Sequence, residues 1–348
     1  LVLLEHFYFC LTYVLGIPLE FYLPKSPSCN CSERLTPASG EWASREEMVL
    51  FGTIYADYFN FPLKGEEFSR YAPFVRLEEA HLIRVLDKLV KEQHLETEEG
   101  YFVLPGRKSL VQKRITQQRN LNGLLVHADK ILPKLRALAW IRGAYLTGSL
   151  AAKNPEKHDD LDVLLVVDRR RVFVTLYGIR LLKKLSILKD ICPNFIVDEN
   201  NLKLGYPNLF TAIELAHARS LKWTLKNKSF ETENPWLSDL LPHFDYSVTS
   251  DDTITKAHVL GECLHFMFSP VLSMVDFVLF RWVRGRSKGR YAKNQGVFKP
   301  HSPHRQLRLF RFLLKKAEWA GIQHPQLLAH LKSQIAILEA DARRWDEA

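Results

Sequence analysis

The stretch "AYLTGSLAAKNPEKHDDLDVLLVVD", residues 144–168, decides the fold. One apolar run ends at Gly148-Ser149, and a polar loop leads to a second apolar run with Asp160 and Asp162 at its mouth. Alternate residues of a strand share a face, so Asp160 and Asp162 project together while Leu161 and Val163 point the other way. Adjacent carboxylates repel, and one takes up a proton unless a cation lies between them. The partner of the pair is therefore a metal, a base or plain solvent. Hard cations such as Mg²⁺ favour carboxylate and phosphate oxygens. On the other side of the loop, glycine permits a tight turn and close ligand approach. With the Ser149 hydroxyl and the first amides of "SLAAKN", it makes a cradle for phosphate oxygens. The bland alternative is a surface turn with incidental acids, Asp159 included. Against it stands the apolar run after Asp162, a register that a surface turn does not need.

Upstream, "SREEMVLFGTIYADYF" has a Ser44 N-cap with Glu47 three residues on, a capping box, and apolar residues at helical spacing. Two more helices, "LKGEEFSRYA" and "RLEEAHLIRVLDKLVKEQHL", precede a hairpin, "LETEEGYFVL", turning at Glu99-Gly100. Three helices and a hairpin form a winged-helix-like pattern over residues 44–105. The third helix balances Arg76, Arg84, Lys88 and Lys91 against Glu78, Glu79, Asp87 and Glu92, and the wing carries Glu96, Glu98 and Glu99. Phosphate neutralisation supplies non-specific DNA affinity, so packing or partner docking is expected of this module rather than DNA reading.

Residues 106–138 read as connecting helices with a break at Pro133. Beyond the opening stretch, "RRRVFVTLYGIRLLKKL" reads as helix, "NFIVDENNLKL" as a strand ending in Asp198-Glu199, and "NLFTAIELAHARSLKW" as helix. Arg169–Arg171 at the start of the first are either phosphate contacts or a solvated cluster. His158, beside the acids, is either a substrate contact or simply solvated. The order strand, short helix, strand, helix, strand over residues 139–230 is that of a small mixed sheet. Residues 231–348 read as a helical C-terminal region. Within it, "AHVLGECLHFMFSPVLSMVDFVLFRWV" carries Glu262, His265, Pro270 and Asp276. An aspartate near the centre of a spanning helix costs ~2.5–3.5 kcal/mol, so a buried helix pair is expected there and no membrane span.

The chain has 348 residues and a formal net charge of +9, and that charge is concentrated. Arg281 to Lys316 holds twelve Lys or Arg and no Asp or Glu. Such a segment suits a polyanion (RNA or another anionic acceptor, nucleotide phosphates, or an anionic membrane) or else forms a solvated basic face. Five cysteines without a CxxC set argue against zinc or a disulfide framework and fit a reducing, cytoplasmic compartment. Residues 1–43 are an apolar stretch followed by a linker. Phe7–Leu19 gives thirteen uncharged residues, short of the ~20 a span needs.

Gly148-Ser149, a ten-residue spacer, then Asp160-Leu161-Asp162-Val163 resembles the signature of the nucleotidyltransferase superfamily related to DNA polymerase β. Over roughly residues 45–300 the chain is also similar to bacterial nucleotidyltransferase-domain proteins of unassigned activity. The resemblance implies an α+β fold: a small mixed-sheet nucleotidyltransferase core, preceded by the winged-helix-like module and followed by the helical region. It implies that Gly148 and Ser149 hold a nucleoside triphosphate, and that Asp160 and Asp162 ligate one or two Mg²⁺ ions. A third carboxylate on a later strand completes such sites. Asp198 is the expected one, with Glu199 the alternative, and Pro193 just before it is expected to shorten that strand. The activity implied is Mg²⁺-dependent transfer of NMP from an NTP to a hydroxyl or phosphate. A catalytically degenerate nucleotide- or nucleic-acid-binding regulator is the other reading.

Overall fold

The computed structural model describes residues 45–131, 134–135, 138–156, 159–205, 207–223, 229–242, 256–292, 294–299 and 301–347. Residues 1–43, the Ser44 cap, Pro133 and His158 lie outside these. The first helix, α1 (Arg45–Tyr58), is followed by strand β1 (Leu63–Lys64), a 3-10 segment (Gly65–Arg70) and α2 (Glu79–Lys91). Strands β2 (Glu96–Glu98) and β3 (Tyr101–Val103) form the expected hairpin, and β1 pairs with β3 to give a three-stranded sheet. Its turn places Glu99 at φ 52° and Gly100 at φ 76°. Glu47, read from the sequence as a cap partner, accepts the Gln323 N–H at 3.1 Å.

A long helix, α3 (Ser109–Ile131), leads into the second sheet: β4 (Ile141–Leu146), α4 (Gly148–Ala151), β5 (Leu161–Val167), α5 (Val172–Lys184), β6 (Ile191–Asp198), α6 (Leu209–His217) and β7 (Arg219–Trp223). Then come α7 (Phe230–Glu233), α8 (Trp236–Leu240), α9 (Lys256–Arg286), β8 (Val297–Phe298), α10 (Pro303–Trp319) and α11 (Pro325–Glu347). The sheet order is β7-β4-β5-β6-β8, with β5 and β6 parallel and the other pairs antiparallel. The fold is α+β with a mixed sheet. The helix expected through Trp223 stops at His217, because Arg219–Trp223 pairs with the free edge of β4.

Period-two burial fixes the faces of the sheet. On β5, Leu161, Val163, Leu165 and Val167 enter one apolar layer, while Leu164 and Val166 enter the other with residues of α1, α6 and α10. Asp162 shares its face with Leu164 and Val166. Fully burying such side chains contributes ~1.5–3 kcal/mol each, so a one-residue slip of β5 would expose its core and bury the acid. Pro193 does not shorten β6. The β5–β6 register slips between Val163 and Leu164, and that irregularity absorbs the missing donor.

The expected buried helix pair is one helix, α9, continuous through Pro270. Asp276 is fully buried on it, and its Oδ1 accepts the N–H groups of Phe173 and Val174 at 2.7 and 2.9 Å. It is thus an N-cap delivered from another helix to the first turn of α5. Arg171 is also buried and donates to Ser269 and Ser273 of α9. It fastens α5 to α9 and takes no part in a solvated cluster.

Candidate functional site

The turn at the end of β4 is set by Gly148, whose φ of 68° lies in the left-handed region that glycine tolerates. A Cβ there would strike Asp162 Oδ2, so the glycine lets the carboxylate lie directly against the turn. The Thr147 N–H donates to the Asp162 carbonyl at 2.8 Å, and this bond locks the two strand mouths together. The Ser149 hydroxyl donates to Asp159 Oδ2 at 2.5 Å, and the Glu156 N–H donates to the same oxygen at 2.9 Å. Ser149 therefore shapes the loop through Asp159, and its side-chain donor is already used.

Asp160 and Asp162 are brought together at the mouth of β5, as the alternation requires. Asp160 is exposed and has Lys183 Nζ at 3.9 Å. Burial pushes the Asp162 carboxyl pKa up, and the neighbouring charges of Asp160 and Asp159 add to this. A hydrogen bond with Cys192 and the charge of Arg305 oppose the rise. Cys192 stands opposite Asp162 in the parallel register. Its thiol is pushed up to about 11, first by burial and then by the two aspartates, so it stays protonated as the donor.

Asp198 does not join this group. It pairs with Val167 at the far end of the sheet, six residues beyond Cys192. That is about 20 Å along the strand at ~3.3 Å per residue. Its parity also puts it on the opposite face, the one shared with Ile196, whereas Val197 packs on the Asp162 side. Asp198 is instead a turn-builder: Oδ1 accepts the Asn200 N–H at 3.0 Å and the Asn201 side-chain amide at 2.6 Å. Its own N–H donates to the Gly296 carbonyl at 2.9 Å, beside β8. Glu199 follows it at that same end, its N–H bonded to the Val167 carbonyl. Asp198→Asn should therefore leave any chemistry at Asp162 within about twofold of wild type, while a thermal melt records a loss of about 1 kcal/mol. A hundredfold loss of activity with no change in stability would contradict the placement.

The acid that sequence reasoning missed is Glu214 of α6. Its carboxylate accepts the Gly148 N–H, and its pKa is raised to about 7, first by burial and then by the charge of Asp162, with Arg305 opposing. No strand alternation announces Glu214. Its only sequence signal is a carboxylate in the apolar helix "LFTAIELAH".

Gly148, Asp160, Asp162 and Glu214 line a cavity of about 450 Å³. Lys299 and Arg305, just past β8 and at the start of α10, face it as a cationic wall, with His301, whose pKa burial and these two cations push down, between them, and Asn194 of β6 also lines it. Tyr55, Phe59, Phe61 and Tyr71 of the N-terminal module close its apolar side. Arg114 of α3 ties that module to the site. Its guanidinium pairs with Glu67 at 2.9 Å, lies 3.7 Å over the Phe61 ring and donates to the Lys153 carbonyl just past α4. His217, also on the lining, has its pKa pushed down to about 3 by burial and then by Arg70, Arg114 and Lys153, so it is neutral.

The donor set suits a hard cation. The side chains at the mouth are oxygen donors, and the Asp162 pKa is raised first by burial and then by repulsion from Asp160 and Asp159, a cost that a Mg²⁺ ion held there would relieve. Among the described residues, no three His, Cys, Asp or Glu side chains converge closely enough to form a metal cage. Asp160 and Asp162 would thus share the ion with substrate phosphates and water, the usual habit of Mg²⁺. Comparison with protein-family models, with curated proteins and with solved structures found no match for this chain.

Proposed function

We propose that the protein is a Mg²⁺-dependent nucleotidyltransferase that moves NMP from a nucleoside triphosphate to a hydroxyl or phosphate of an acceptor. The observation that carries this reading is the Gly148 turn pressed against Asp162, with Asp160 beside it and Arg305 opposing their charge across one cleft. The polymerase β-like core and the winged-helix-like module belong to the same proposal. The element order and the hairpin support both.

Asp160 and Asp162 would hold the cation, which when bound neutralises triphosphate charge and orients the α-phosphorus. Gly148 offers backbone approach without a side chain. Arg305 and Lys299 meet the remaining phosphate charge from the opposite wall. The acceptor oxygen bonds to the α-phosphorus, the bond to the bridging oxygen breaks, and pyrophosphate leaves. Glu214 takes the acceptor's proton on its carboxylate, a role matched to a pKa of about 7. The aromatic wall from α1 and the segment after it keeps water from competing for the phosphoryl group.

One observation favours the degenerate alternative: the strand position opposite Asp162 carries Cys192, and no acid of β6 reaches the site. Incubation with α-labelled NTPs, Mg²⁺ and separate fractions of cellular RNA, protein and small metabolites decides between the two. Transfer predicts label on one fraction, with pyrophosphate released and the reaction stopped by EDTA. Saturable NTP binding with no label on any fraction would establish the binding protein instead.

A further inference from the structure

The outer face of α9 takes no part in the proposed chemistry. An 18-residue window within His265–Arg286 has a mean hydropathy of 1.5, enough by length and composition to cross a membrane, yet only 17% of it is buried. A core helix of that composition would be covered. Here Phe266 is 82% exposed and Met267 70%, and Phe268, Val271 and Phe277 are also exposed.

The helix cannot span a bilayer, because its other face is committed to the protein. Asp276, Phe280 and Val283 are buried, Asp276 caps α5, and Ser269 and Ser273 accept from Arg171. What remains is a helix fixed along one side and apolar along the other. At its C-terminal end the exposed face turns cationic, with Arg281, Arg284, Arg286 and Lys288 all exposed. Trp282 lies at the junction, with the Arg286 guanidinium 4.6 Å from its ring centre. It meets Tyr177 of α5 edge-on at 5.7 Å, and Tyr177 in turn lies 5.0 Å from the Arg180 guanidinium. The only acid of α9 from His265 onward is the buried Asp276, and the chain carries no other through Lys316.

We propose that this face docks on an anionic lipid bilayer, with the aromatic and aliphatic side chains in the headgroup boundary and the arginines on lipid phosphates. An apolar face ending in Trp and Arg is how an interfacial helix divides its work: apolar burial holds it, and cations select an anionic surface. The charge argues against a second copy of the chain as the occupant. A self-complementary pairing would offer these cations no acid, since the face has none.

The test is flotation of the full chain with vesicles of phosphatidylcholine alone and of phosphatidylcholine with about a third phosphatidylserine, at low and high salt, alongside light scattering. The chain is expected to float only with the anionic vesicles and to be released by salt. Phe266→Ser/Met267→Ser/Phe277→Ser should weaken flotation by at least about tenfold. Arg281→Gln/Arg284→Gln/Arg286→Gln should do so by a similar factor while leaving the apolar face intact. Thermal melts identify a variant that has merely unfolded, and the charge variant then stands as the test. No flotation with anionic vesicles, or flotation indifferent to the charge variant, overturns the proposal. So does a dimer in solution that the apolar variant dissociates while vesicles go unbound.

Discussion

Glu214→Gln is expected to lower NMP transfer by about 10²–10⁴-fold, the range for loss of a positioned proton acceptor, while NTP affinity changes by less than about tenfold. The two readouts separate because the proposal gives Glu214, bonded to the turn at Gly148, the acceptor's proton and leaves the cation to Asp160 and Asp162. The sign of the pH dependence follows from its pKa of about 7. The carboxylate accepts a proton only when ionised, so the wild-type rate should climb with pH up to about 7 and level off above it. The glutamine variant should lack that limb, and its residual rate should be flat through the same range. Asp162→Asn gives the contrast. It leaves Glu214 in place and buried but removes the Asp162 charge that adds to burial in raising the Glu214 pKa, so any residual activity should show its acidic limb shifted to lower pH. Bound Mg²⁺ acts in the same direction as that substitution, so the limb is best measured across a Mg²⁺ series. If Glu214→Gln retained full rate with an unchanged profile, the proton would have another acceptor and this role would be wrong.

The half of the site that local pattern encodes was legible in the sequence. Alternation on β5 placed Asp160 and Asp162 on one face, and the glycine at the end of β4 pointed to a turn pressed close to something. Both are periodicity arguments over a few residues. Asp198 went astray because strand polarity is not local. The order β5–α5–β6 makes a parallel crossover, and in a parallel pair a residue at the end of one strand lies far from the start of its neighbour. The residue that belongs opposite Asp162 is Cys192, and no pattern in "ICPNFIVD" marks it. Glu214 was missed for a related reason. It enters the cleft from α6, and a single acid in an apolar helix reads as a solvated position until the packing partner is known. The fold itself misled at two points. "RSLKW" continued an apolar helix in sequence but met an unpaired strand edge in space. The segment around Pro270 reads in sequence as a buried helix pair, yet a single helix α9 runs through it with that proline on its exposed side. In both cases a tertiary partner outweighed local propensity.

Asp276→Ala should cost about 3 kcal/mol of stability. The carboxylate satisfies the N–H groups of Phe173 and Val174, accepts the Gln295 side-chain amide at 3.0 Å, and faces the buried Arg171 charge. Alanine would leave one buried and one part-buried donor unpaired, at ~1–3 kcal/mol each, less whatever relaxation and solvent return to them. It would also remove the opposing charge that keeps the Arg171 pKa from falling further under burial. In a chain of this size ~3 kcal/mol lowers the melting temperature by about 4 °C. Asp276→Asn separates hydrogen bonding from charge. Its Oδ1 can still accept both backbone N–H groups, as asparagine does at ordinary N-caps. Its amide faces the Gln295 amide donor, an arrangement a flip of Gln295 can mend. The expected cost of asparagine is about 1 kcal/mol, roughly a third of the alanine effect. Burial already raises the Asp276 pKa, so ionisation is the expensive form here and the hydrogen bonds are what hold α5 against α9. Equal losses for alanine and asparagine in chemical denaturation would show that the charge, acting on Arg171, holds these helices together.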